Sequence, residues 1–132
     1  MIESVLSQKE TRTMIIALVS FSYSCSQETL SDLAMDFATN VTPNIEGLIW
    51  KIYLNEPERK RSAGLYLFRD LQCANAYLNG PYVRGLGESP IVSKVSTETF
   101  ETMREPSIRS AGPILEREPA GADELHGSCC PG

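Results

Sequence analysis

The amino-acid sequence predicts an α+β domain, an antiparallel sheet of four strands with two helices on one face. Three observations lead there. Alternating runs of strand period recur at Met14 to Tyr23, Glu46 to Glu56, Ser62 to Arg69 and Glu88 to Glu98. Segments with apolar residues three and four apart follow the first and third of these runs. The order strand, helix, strand, strand, helix, strand is that of a ferredoxin-like βαββαβ unit.

In the first strand Ile15, Ala17, Val19, Phe21 and Tyr23 form one face, and Met14, Ile16, Leu18, Ser20 and Ser22 form the other. Ser26 is placed to cap a helix in which Leu30, Leu33, Ala34, Phe37, Ala38 and Val41 share a stripe. Pro43 stops it, because its ring cannot continue the backbone ladder. In the next strand Leu48, Trp50, Ile52 and Leu54 make a purely apolar face, and Ile49, Lys51, Tyr53 and Asn55 a mixed one. Both sides of this hairpin therefore need cover, and Glu56 to Arg61 between its strands reads as a solvated loop. Asp70 caps a second helix from Leu71 to Asn79, which Asn79-Gly80-Pro81 ends, with Tyr82 to Gly87 as a connector. After the last strand, Phe100 to Arg104 makes one further turn.

Three regions follow: a flexible N-terminal arm over residues 1–13, the folded domain over 14–104, and a disordered tail rich in proline and glycine over 105–132. With 42% hydrophobic and 22% charged residues, the chain has the composition of a soluble globular protein with one core. A net charge of -5 leaves no basic stripe, which argues against a nucleic-acid partner. No apolar run reaches the roughly 20 residues of a spanning helix, so a cytoplasmic protein with no membrane partner is expected. The four cysteines have neither metal-ligand nor disulfide-framework spacing, so no metal is expected and Cys25 and Cys73 read as structural. Cys129 and Cys130 precede Pro131 and Gly132, a poor match to a prenylation box.

Taken together and in order, Gly47-Leu48-Ile49-Trp50-Lys51, Ala63-Gly64-Leu65-Tyr66-Leu67-Phe68-Arg69-Asp70 and Ala74-Asn75-Ala76-Tyr77-Leu78 resemble the YdhR-like monooxygenases of the dimeric α+β-barrel superfamily. The resemblance covers about Met14 to Thr97. It implies a homodimer whose two sheets close a barrel, and a pocket for a small hydrophobic molecule beside the sheet. Because that superfamily also holds polyketide cyclases, haem-degrading enzymes and isomerases, fold and chemistry are separate questions. Cyclases of this type often carry a histidine after the second helix, whereas Gly80-Pro81-Tyr82-Val83-Arg84 has none and the one histidine is His126.

The sequence carries no G-x-G-x-x-G and no G-x-S-x-G, and Gly85-Leu86-Gly87 reads as a turn. No cofactor is therefore expected, and an oxidised substrate would itself supply electrons to dioxygen. Tyr82 is the expected proton-transfer group and Arg84 the expected anion clamp, the two catalytic candidates. Candidates for substrate contact are Ser20, Ser22, Lys51, Tyr53 and Lys94 on the mixed strand faces. Trp50 and Tyr66 join them, Trp50 with a core or interface role as the alternative and Tyr66 with cross-strand pairing. The leading functional expectation is a cofactor-independent monooxygenase acting on a small aromatic or polyketide-like molecule. The alternatives are a cofactor-free cyclase or isomerase of a biosynthetic intermediate, and a non-catalytic ligand-binding or stress-response dimer.

Overall fold

A computed structural model describes residues 13–114 of the chain. The arm before Thr13 and the tail after Ile114 lie outside the described residues. Strands β1 (Ile15–Tyr23), β2 (Leu48–Glu56), β3 (Arg61–Phe68) and β4 (Val92–Glu101) form one antiparallel sheet in the order β2-β3-β1-β4. That is the order a βαββαβ unit requires, with the two hairpin-joined strands on one side and the last strand on the other edge.

Helix α1 (Gln27–Asn40) starts as its cap residue dictates, with the Ser26 side chain accepting the Thr29 backbone N–H at 3.0 Å. Pro43 then diverts the chain into a single 3-10 turn, Thr42–Asn44. Helix α2 (Leu71–Leu78) is capped by Asp70, whose Oδ1 accepts from the Cys73 N–H at 2.9 Å.

The connector expected after α2 is instead a helix, α3 (Pro81–Glu88). Pro81 occupies its first turn, where the missing N–H removes no hydrogen bond, so the proline starts a helix as well as ending one. Gly80 makes the corner. A Cβ there would sit 2.9 Å from the Ala76 carbonyl oxygen, too close for the two helices to meet.

β4 begins at Val92 and runs on to Glu101, so the turn expected from Phe100 is strand, and α4 (Arg104–Arg109) follows it. The segment after α4 is ordered as well. Trp50 Nε1 donates to the Pro113 carbonyl oxygen at 2.8 Å and Ile114 is buried, so the domain extends beyond the boundary expected at residue 104.

Alternation along the strands decides which side chains meet the helices. The core joins Ile15, Ala17, Val19, Tyr66 and Phe68 of the sheet to Ala74 and Tyr77 of α2. Full burial of Phe68 contributes roughly 1.5–3 kcal/mol by its apolar area. From Lys51 onward the helices cover the mixed face of β2, and Trp50, Ile52 and Leu54 look the other way, leaving Ile52 47% and Leu54 41% exposed, whereas a bulge between Leu48 and Trp50 turns Leu48 onto the core against the expected alternation. α1 buries none of its residues, because it stands off the sheet over a cavity.

Candidate active site

The cavity, about 290 Å³, lies between the helix-covered sheet face and helices α1 and α3. Leu30, Leu33, Ala34 and Phe37 enter from α1, and Tyr82, Val83 and Leu86 from α3. Val19, Lys51, Tyr53, Gly64 and Tyr66 form the sheet side. Its size is near the lower end of about 300–1,000 Å³ for ligand pockets, and its walls are mainly apolar and aromatic, as such pockets usually are.

Among the described residues, Lys51 is the one basic residue in the wall. Its Nζ lies 3.9 Å from the ring centroid of Tyr53, 4.3 Å from that of Phe37 and 4.6 Å from that of Tyr66. The electron-rich ring faces hold the charged form, while burial opposes it and lowers the ammonium pKa from 10.5 to about 8. Gly64 makes this placement possible. A Cβ at Gly64 would lie 2.8 Å from Lys51 Cε and 2.8 Å from the Tyr66 ring.

Behind the lysine, the Tyr66 and Tyr77 hydroxyls share a buried hydrogen bond of 2.9 Å. Burial first, then the neighbouring Tyr77, pushes Tyr66 far above the ordinary phenol range, and the same two causes push Tyr53 up to about 12. Tyr77 is also raised, by burial against the opposing pull of its bond to Tyr66. These three phenols therefore stay protonated at neutral pH and act as neutral hydrogen-bonding groups. Tyr82 stands edge-on to Phe37, with centroids 5.7 Å apart, and stacks beside Tyr77 at 6.4 Å.

Tyr23 of the cavity wall belongs to a polar ring. Gln27 Nε2 donates to Tyr23 Oη at 2.8 Å, Tyr23 donates to Asn55 Oδ1 at 2.8 Å, and Asn55 Nδ2 donates to Gln27 Oε1 at 3.0 Å. The ring ties the start of α1 to the end of β2, holding the helix above the sheet without burying it.

Of the residues singled out from sequence, Lys51, Tyr53, Tyr66 and Tyr82 come together in the cavity wall. The others do not. Ser20 and Ser22 lie on the open sheet face, opposite Ser96 and Ser93 of β4. Trp50 is on that same face, bonded to Pro113. Lys94 is exposed at the bulge where β4 gains a residue against β1, with φ of 55°. Arg84, the expected anion clamp, is exposed and donates to the Asn79 carbonyl oxygen at 2.8 Å, capping the end of α2.

Tyr77, Phe37 and Gly64 escaped the sequence reading as site residues. Gly64 had a signal: a lone glycine inside a strand marks close approach of another group. Among the described residues there is no cluster of three or more potential metal ligands, and no helix long and apolar enough to cross a membrane.

The family model described as "Putative mono-oxygenase ydhR" matches residues 16–113, which takes in β1 from its second residue, the other three strands and every residue lining the cavity. The chain belongs to the ydhR mono-oxygenase family. The match runs to residue 113 and so includes α4 and the segment that meets Trp50. No curated protein matches the sequence. Among solved structures, a protein of unknown function from Nitrosomonas europaea superposes with a TM-score of 0.58 at 16% identity, over 84% of this chain and 99% of that one. A Shewanella oneidensis protein gives 0.54 at 14% identity, over 69% and 92%. SnoaB, a cofactor-independent oxygenase from Streptomyces nogalater, gives 0.53 at 13% identity, over 70% and 95%. At these identities the likeness establishes the shared α+β fold.

Proposed function

We propose that this ydhR-family chain is a cofactor-independent monooxygenase for a small hydrophobic aromatic or polyketide-like substrate, bound in the cavity under α1. The observation that carries this reading is the cavity itself: an aromatic-walled space beside the sheet with, among the described residues, one cation. The family assignment and the fold shared with an oxygenase that uses no cofactor support it.

In such a reaction the substrate is the reductant. A ring CH₂ flanked by aromatic carbonyl or phenol groups gives up its protons and four electrons to dioxygen, one oxygen atom becoming the carbonyl and the other leaving as water. The protein's part is to take and hold a proton, orient the ring and keep bulk water away. Tyr82 remains the candidate for proton transfer because it lies in the wall. Arg84 is left out of this reading because it does not line the cavity and donates to the Asn79 carbonyl oxygen.

We further propose a homodimer in which the open sheet faces pair, covering Ile52 and Leu54. Filling the cavity tests the reading of the site. Ala34→Trp, projecting from α1, should abolish turnover of an anthrone while the far-ultraviolet circular dichroism stays native. Full turnover in that variant would move the reaction out of the cavity.

A further inference from the structure

We propose that the cavity selects an aromatic anion, a phenolate, enolate or carboxylate on a small fused-ring skeleton, with Lys51 Nζ as its counter-ion. The inference deepens the substrate-site reading above, but it concerns binding and needs no turnover.

An ammonium has three N–H donors and is strongly hydrated in water. At Lys51 it is drawn into an aromatic enclosure, and among the described residues it has no hydrogen-bond or ion-pair partner; ring faces stand in their place. Ring faces attract a cation but accept no conventional hydrogen bond, so the N–H groups keep unused capacity. Among the described residues the one carboxylate in the wall, Asp36, accepts from Asn40 Nδ2 at 2.7 Å and is exposed on α1. Among the described residues the cavity therefore presents one unneutralised cation inside a mainly apolar space.

A ligand oxyanion would complete it, exchanging water at the ammonium for a charge-assisted hydrogen bond in a low-dielectric setting. The skeleton must be flat and apolar to lie among Phe37, Tyr66 and the leucines of α1 and α3. A neutral hydrocarbon of the same shape would leave the ammonium desolvated without a partner, so charge should discriminate. Gly64 supports the assignment. Its missing Cβ is what lets the lysine stem lie against the strand and aim its end at these rings.

The test is calorimetric titration of the full-length protein at neutral pH with 1-naphthoate, 4-nitro-1-naphthol and the neutral isostere 1-naphthamide. An anion should bind at least tenfold tighter than the amide, and Lys51→Met should bring the two to equal affinity. The nitronaphthol also reports its ionisation by absorbance, so binding beside Lys51 should shift its colour change to lower pH. Preference for naphthoate alone assigns the anion as a carboxylate, and preference for nitronaphtholate assigns it as a phenolate or enolate. Equal binding of anions and amide by the wild type, or binding of none of the three, overturns the proposal even if the lysine variant fails to fold. An intact anion preference without dioxygen-dependent turnover would overturn the oxygenase reading and leave this one standing.

Discussion

Lys51 Cε occupies the space that a side chain at Gly64 would fill, 2.8 Å from where its Cβ would be. Gly64→Ala must therefore displace the lysine stem or the Tyr66 ring. Both are packed against aromatic neighbours. By the usual scale for overpacking, the variant should lose about 1–3 kcal/mol in urea denaturation. It should also weaken any ligand that depends on the lysine. Unchanged stability would mean that Lys51 moves out at little expense.

The Tyr66–Tyr77 hydroxyl pair predicts non-additivity. Removing one hydroxyl leaves the other buried without its partner, at a cost of about 1–3 kcal/mol, whereas removing both leaves nothing unsatisfied. Tyr66→Phe and Tyr77→Phe should each destabilise, and the double variant should be less destabilised than their sum. Strict additivity in the double-mutant cycle would show that the two hydroxyls do not depend on each other.

Lys51 also predicts a pH dependence. Its folded pKa near 8 lies below the 10.5 of a free lysine, so between these values the unfolded chain binds more protons and stability rises with pH. Below pH 8 the full cost of burying the charge is present. Lys51→Met should therefore melt at higher temperature than wild type at pH 7, with the gap closing toward pH 10.5. Tyr53, Tyr66 and Tyr77, raised in the fold, act in the opposite sense above pH 10, and they do so in both proteins. A variant that melts lower at pH 7 would mean that the three ring contacts outweigh desolvation.

Most of the fold was legible because local signals agreed with one another. Ser26 and Asp70 cap the helices they were expected to cap, and strand alternation placed Ile15, Ala17 and Val19 on the core face. α3 was missed because Gly85 and Gly87 lower helix propensity and Pro81 reads as a stop, although proline fits the first turn. The site was half legible. Alternation put Lys51 and Tyr53 on one face of a strand, but nothing in a two-residue period says which face the helices will cover. Hence Ser20, Ser22 and Trp50, on the faces turned away, entered the same list as Tyr66. Ile114 was missed since a single buried residue beyond a proline has no periodic context.

The proposed pairing of open sheet faces makes a direct prediction. Ile52→Glu and Leu54→Lys place charges on that face, on the other side of the sheet from the helix-covered cavity. Light scattering at micromolar concentration should report a dimer for the wild type and a monomer for the double variant. A wild-type monomer would contradict the proposed pairing.

Oxygen uptake is the measurement that decides whether the cavity oxygenates an aromatic substrate with no helper group, as we propose. Protein freed of metal by chelation and of flavin by gel filtration is given an anthrone in an oxygen electrode. One dioxygen should be consumed per quinone formed, with no product under argon and loss of both signals in Ala34→Trp. Product formed at the same rate under argon, or uptake that appears only after metal or flavin is added, would contradict the proposal.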